Sequence, residues 1–385
     1  CEARGAEPDS FWGWRERMYA FLARIDPDDL EAITAQAYVE MLESGFTRVG
    51  EFHYLHHGPG GAHYAAPAEL SGRVMAAAES AGIGLTLLPV FYAHGGFGGA
   101  ASLPGQARFV LTLDAYAQLL DACRGLLAQR PLARLGVAPH SLRAVTPVEL
   151  GRLVPLAQGG PVHIHVAEQQ REVEQCLAWS GQRPVEWLLT HAPVGPAWCL
   201  VHATHVTEDE IERVARSGAV AGLCPITEAN LGDGVFPARA YQRAGGRFGV
   251  GSDSNVSISA SEELRLLEYG QRLVHRERNV MARGAGSSGR ALFEAAYQGG
   301  AQALGHQAGV QLGAPADLIA LRADHPCLIG REGDALLDGW IFGRAHAAID
   351  AVWSAGVKLV ADGRHHARDP VLARYRRTLQ RLLAG

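Results

Sequence analysis

Short apolar runs alternate along this chain with longer segments in which apolar residues recur at helical spacing. That alternation constrains the fold more than any other feature. It is how a parallel βα repeat reads in sequence: strands buried on both faces, each followed by a helix that packs back onto the sheet. The runs at 48–52, 85–91, 135–139, 162–166, 199–202, 220–224 and 248–251 qualify as strands, and 29–44, 68–81, 147–157, 169–179, 208–217 and 262–275 are among the intervening amphipathic segments. Periodicity alone permits either an open doubly wound sheet or a (β/α)8 barrel one strand short of closure. The strand ends separate the two. They carry His53 and Tyr54, His140 and Ser141, His163 and His165, His202 and His205, Cys224, and Asp253. Only a barrel gathers the C-terminal ends of all its strands around one mouth, and a random scatter of 17 histidines would not fall so often at those ends.

Composition narrows the class. The 385 residues carry a net charge of −5, with no basic field to attract nucleic acid. No apolar run reaches the roughly 18 residues of a membrane span. The six cysteines are dispersed without a Cys-x-x-Cys pair, which fits a reduced, cytoplasmic setting. The expected division is a barrel over 1–305, a small β unit over 306–367 and a C-terminal helix over 368–385 with a solvated basic face. The loop 94–102 (HGGFGGAAS) lacks the Lys of a phosphate loop and reads as a mobile loop beside the mouth.

The chemistry-bearing residues follow the strands. His163 and His165, two apart, share one face of their strand, and Glu168 sits where the next helix opens. His202 ends the following strand, and Asp253 stands in the run Gly-Ser-Asp-Ser. Each has an ordinary alternative: a strand-end histidine satisfies its own hydrogen bonds, and an Asp caps a helix. Together, neutral imidazole and carboxylate are the ligand types of a hydrolytic zinc site with an open position.

The order His-x-x-Glu, then His, then Ser-Asp on successive late strands resembles the amidohydrolase superfamily in its mononuclear deaminase branch. Within that branch, 162–173 (VHIHVAEQQREV), 201–206 (VHATHV), 223–234 (LCPITEANLGDG) and 11–19 (FWGWRERMY) resemble enzymes acting on N-formimidoyl-L-glutamate in histidine degradation. The likeness runs from about residue 9 to the end, with Ile226 where a Thr is expected. It implies a TIM-like barrel of the metal-dependent hydrolase type plus a small, partial β-sandwich appendage. It also implies one Zn²⁺ per subunit, a homodimer, and hydrolysis of the formimidoyl group to N-formyl-L-glutamate and ammonia. His165 and Asp253 would be metal ligands, Glu168 the proton shuttle, and His202 an unligated partner that polarises the attacked carbon. Arg15, Tyr54, His140 and Arg143 would hold the two carboxylates of the small-molecule substrate, a task suited to arginine's planar fork. The cluster His53, His56 and His57 is placed at the rim of the substrate pocket.

One departure stands out. The superfamily's first barrel strand ends in His-x-His, and no such strand precedes Asp9; the His163–His165 pair belongs to the fifth strand. The chain therefore reads as N-terminally truncated, with weak zinc binding and little activity expected of these residues alone. Two alternatives are a deaminase or chlorohydrolase of the same superfamily acting on a heterocycle such as guanine, and a metal-free binding protein for glutamate-like ligands. Arg15 with Arg143 weighs against the first, because a neutral heterocycle has no use for two carboxylate clamps.

Overall fold

A computed structural model describes residues 22–130, 133–254, 257–343 and 348–384. Arg15 and the motif 11–19 lie outside the described residues. The apolar runs form parallel strands: β1 (Arg48–His53), β2 (Gly84–Phe91), β3 (Arg134–Leu135), β4 (Ala138–Pro139), β5 (Val162–Val166), β6 (Trp198–His202), β7 (Val220–Leu223) and β8 (Arg247–Val250). All eight residues of β2 are buried, as a strand covered on both faces requires. In-register pairs such as His53 with Pro89, His165 with Val201 and Leu223 with Val250 align the strand ends side by side.

The run expected as one strand over 135–139 is broken in two. Gly136 donates to Leu87 O and Val137 to Pro161 O, so the segment shifts its bonding from β2 to the approach of β5. A Cβ at Gly136 would strike Pro161 O and the Leu88 side chain, which is why glycine occupies the break. Bridges from Val137 to Val162 and from Ser141 to His165 continue the sheet into β5. The order is then β1, β2, β3/β4, β5, β6, β7, β8, and among the described residues no strand joins β8 to β1.

The sheet curls around one plug. The helix Ser288–Ala303 packs on β8, with Gly299 against the Phe248 backbone. Just past it, Leu304 lies against Gly50 of β1, and Leu304 O accepts from Thr86 of β2. Ala303 O accepts from His163 Nε2 of β5 at 2.7 Å. Contacts from one short segment to β1, β2, β5 and β8 require barrel-like curvature. His163 thus belongs to the floor.

After residue 305, β9 (Leu318–Leu321), β10 (Ile349–Ser354), β11 (Val357–Ala361) and β12 (Arg364–His365) form an antiparallel sheet in the order β12-β11-β10-β9. It is tied to the barrel by the half-buried pair Arg48–Asp317 at 2.7 Å and by His365 Nε2 on Ala81 O at 2.9 Å. Between β9 and β10 the helix Asp334–Phe342 packs on Ser288–Ala303, an element the alternating apolar runs of that region do not suggest. The terminal helix Arg368–Ala384 turns part of its basic surface to another helix, with Arg368 on Glu43 at 2.6 Å, Arg374 on Glu31 at 2.5 Å and Arg381 on Asp26 at 3.0 Å, while Arg376 and Arg377 stay exposed. Those acids flank and line the helix Pro27–Glu43, so two amphipathic helices satisfy each other's charge. Among the described residues no helix is long and apolar enough to cross a membrane.

Candidate active site

The site assembles where β4, β5, β6 and β8 end. His202, the last residue of β6, is fully buried and central. Its Nε2 lies 3.7 Å from Glu168 Oε1 and 3.8 Å from Asp253 Oδ2, while Nδ1 is 3.2 Å from Glu228 Oε1. The ring of His165 lies 5.4 Å from that of His202, stacks on His140 at 5.2 Å and is met edge-on by Phe52 at 4.5 Å. His165, Glu168, His202 and Asp253 therefore converge on one mouth, as the strand-end reading expects. Among the described residues, His202, Cys224 and Asp253 form a group whose potential donor atoms all lie within 4.8 Å of one another, and the expected ligand His165 stands beside it with its ring 5.4 Å from that of His202.

The backbone is bent to aim these groups. Ala167, His202, Ala203 and Asp253 adopt positive φ of 52°, 66°, 47° and 52°. Such conformations cost non-glycine residues about 1–3 kcal/mol each and persist only where the surroundings enforce them. At Ala167 the enforcement is visible: Glu172, buried in the first turn of the helix Gln170–Ser180, accepts from Ala167 N at 3.2 Å and Glu168 N at 3.1 Å. Two orphan N–H groups of the helix entry are satisfied, and Glu168 is fixed. At Asp253 the carboxylate accepts from Ser254 N at 2.7 Å, and the next helix, Ala260–His275, is capped by Ser259, so Asp253 is no helix cap.

Electrostatics follow from burial and charge. Burial holds His165 well below the ordinary imidazole pKa, reinforced by the neighbouring His202, which leaves a neutral ring able to act as a ligand. Burial also opposes charge on His202. Glu168, the bond to Glu228, and Asp253 outweigh it and raise its pKa to about 10. Burial raises the Glu168 carboxyl above its usual range, with His202 and Arg143 pulling back. Asp233, which accepts from the Gln169 amide, is pushed up to about 7 by burial and by the charge of Glu168.

Of the expected substrate-binding residues, Tyr54 and His140 are neighbours, with ring centres 5.4 Å apart. Arg143 follows β4, close enough for its charge to bear on His165 and Glu168. His53, His56 and His57 do not form a rim. All three are buried, with His56 Nε2 on Val90 O at 2.8 Å and His57 Nε2 on Val110 O at 3.1 Å; each bond locks a loop to the backbone. The glycine-rich loop is a bonded turn, not a free one: Gly95 donates to Ala100 O, His94 pairs with Glu149 at 2.8 Å, and Phe97 stacks on Trp179.

Glu228 and Glu172 were not singled out from sequence. Glu228 accepts from Cys224 N at 2.9 Å as well as bonding His202, and Glu263 braces the same turn through Ile226 N. Their signal was a carboxylate four residues beyond a strand-end residue, at Cys224–Glu228 and Glu168–Glu172. In kind, the donors suit zinc: a neutral imidazole at His165 and a carboxylate at Asp253, while His202 Nε2, buried without a hydrogen-bond partner among the described residues, is left to face the reacting group.

Comparison with known proteins gives the context. Residues 2–359 match the amidohydrolase family. The chain is 52% identical over 368 residues to formimidoylglutamate deiminase of Pseudomonas aeruginosa, covering 95% of this chain and 81% of that protein. A crystal structure of an amidohydrolase from Brucella melitensis superposes with a TM-score of 0.96 at 54% identity, over 99% of this chain and 85% of that one. An adenosine deaminase from Xanthomonas campestris with bound zinc superposes with a TM-score of 0.81 at 23% identity, over 99% of this chain and 82% of that one, a likeness of fold.

Proposed function

The chain belongs to the amidohydrolase family, and from that premise we propose that it hydrolyses N-formimidoyl-L-glutamate to N-formyl-L-glutamate and ammonia. The observation that carries the reading is that Glu168 and Asp253 both lie within 3.8 Å of His202 Nε2, beside a neutral His165, in a chain 52% identical to a formimidoylglutamate deiminase.

His165 and Asp253 would hold a zinc ion. Bound there, zinc supplies Lewis acidity that lowers the pKa of water from 15.7 toward about 7. Glu168, buried and held by Glu172, takes the proton from the water whose oxygen adds to the formimidoyl carbon. His202 keeps its Nδ1–H on Glu228 and turns Nε2 toward the reacting carbon, where its charge stabilises the tetrahedral adduct. Glu168 then returns the proton to the amidine nitrogen. The adduct's hydroxyl proton passes through the same carboxylate to that nitrogen as the C–N bond breaks and the formyl C=O forms, so ammonia leaves and atoms and charge balance. Tyr54, His140 and Arg143 orient the substrate through its carboxylates, with Arg15 as a fourth contact from outside the described residues.

The test is ammonia release from N-formimidoyl-L-glutamate, with adenosine as the neutral-heterocycle control. Glu168→Gln is expected to retain bound zinc and lose turnover by about 10²–10⁴-fold. Near-normal turnover in that variant removes Glu168 from the chemistry. Ammonia release from adenosine alone replaces the substrate class.

A further inference from the structure

The motif 223–234 ends in Asp233-Gly234, and the chemistry above uses neither residue. The short helix Pro225–Leu231 stops at Gly232, and Asp233 N donates back to Glu228 O at 2.9 Å. One oxygen of the Asp233 carboxylate is taken: Oδ1 accepts from the amide of Gln169, the neighbour of Glu168 in the chain. The other, Oδ2, is buried and has no hydrogen-bond partner among the described residues. Two more buried polar atoms share that condition, Thr204 Oγ1 and His205 Nε2, on the loop that leaves β6. They lie against the same turn. A Cβ at Gly234 would come within 3.3 Å of Thr204 Cγ2 and 3.6 Å of His205 Cε1, and the His205 ring bonds the Asp233 backbone. The loop is also tied to the end of β5, since His205 N donates to Ala167 O at 3.0 Å.

A buried polar atom without a partner is costly, and three at one turn mark the place of a ligand. All three can accept. Asp233 Oδ2 belongs to a carboxylate, and Thr204 Oγ1 offers two lone pairs. His205 Nε2 is bare: because it has no partner, the bond to the Asp233 carbonyl runs through Nδ1–H, and burial holds the ring neutral. A set of acceptors suits a ligand that only donates. Water brings acceptors as well as donors; ammonium brings four N–H donors and a positive charge. The local charge agrees. Glu168 and Glu228 both act on Asp233 as like charges, opposed by the single imidazole of His202, so the potential at the turn is negative. Arg183, which donates to His205 O at 2.6 Å, has its charge matched by Glu210 at 3.0 Å.

We propose that Asp233 Oδ2, Thr204 Oγ1 and His205 Nε2 form a subsite for the ammonium product beside the carboxylate that releases it. This inference rests on the function proposed above. Ammonia freed by C–N cleavage takes one proton from the buffered solvent onto its lone pair, and the resulting ammonium meets the three acceptors with three of its four N–H groups. The Gln169 amide occupies Oδ1 and so leaves Oδ2 to the cation.

The experiment has two arms, both on the zinc-replete chain. In the first, melting temperature is followed against ammonium, potassium and tetramethylammonium chlorides at matched ionic strength. Ammonium at roughly ten times its dissociation constant is expected to raise it by about 2 °C over tetramethylammonium. Asp233→Asn keeps an acceptor for Gln169 and puts an amide N–H where Oδ2 stood, and it is expected to lose that excess. Thr204→Val, close in shape but without the hydroxyl, is expected to lose most of it. No excess in the parent, the same excess in both variants, or an equal response to potassium overturns the subsite. In the second arm, N-formyl-L-glutamate formation is followed with added ammonium chloride. The inhibition constant for ammonium is expected to rise about tenfold or more in Asp233→Asn, in line with loss of one charge-assisted bond. An unchanged constant overturns the product role. A parent chain that responds to ammonium but forms no N-formyl-L-glutamate overturns the proposed function and upholds the cation subsite.

Discussion

Replacing His163 with Gln is expected to flatten the acid limb of the stability curve. His163 sits on the barrel floor, and its Nε2–H donates to Ala303 O at 2.7 Å, linking β5 to the end of the helix that plugs the barrel. A second proton, on Nδ1, would place a charge in a buried apolar layer, so burial lowers the pKa from 6.5 to about 4, against the small upward pull of the carbonyl. The direction follows from proton counts. Between 6.5 and about 4 the unfolded chain binds a proton that the folded chain refuses, so stability is intact above 6.5 and drains away as pH falls. The slope is about 1.4 kcal/mol per pH unit, and the total between neutrality and the folded pKa is about 3 kcal/mol. That is a sizeable part of the roughly 5–15 kcal/mol that holds a typical native state. Gln keeps an N–H donor for Ala303 O and does not titrate. Urea-denaturation midpoints measured in steps across this window should therefore fall less steeply for His163→Gln than for the parent. His56, likewise depressed to about 4, continues to contribute in both proteins. Parallel curves for variant and parent would show that His163 is protonated in the folded state and that the floor is wet.

Other outcomes follow from the same geometry. Glu228→Gln removes the charge that accepts from His202 Nδ1, and ammonia release is expected to fall about 10–100-fold with little change in KM; an unchanged rate would leave Glu228 a purely local brace. Gly299→Ala forces a Cβ into the Phe248 backbone, and overpacking of this kind costs about 1–3 kcal/mol, visible as a lowered melting temperature. Arg374→Ala removes a partly exposed pair with Glu31 and should cost less than about 1 kcal/mol by the same measurement.

The strands and the site tips were legible because parallel strands buried on both faces leave near-continuous apolar runs, and their ends carry the polar residues of the mouth. The run 162–166 coincides with β5, and His165, Glu168, His202 and Asp253 meet as their positions on successive strand ends required. The break at Gly136 was not legible, because it depends on the approach of Pro161 from another strand. His56 and His57 misled for a related reason: an imidazole that bonds a backbone carbonyl and one that lines a pocket look alike in sequence. The pairing of Arg368, Arg374 and Arg381 was not legible because their acidic partners lie more than 300 residues away.

By itself the sequence determined the alternation of strand and helix and which residues stand at strand ends, since both are local consequences of side-chain period and backbone pleat. Only the tertiary structure decided that Glu228 and Glu172 serve the site and that His163 belongs to the floor while His165 belongs to the mouth. Those facts rest on curvature of the sheet, which sets through-space distances that no spacing along the chain encodes.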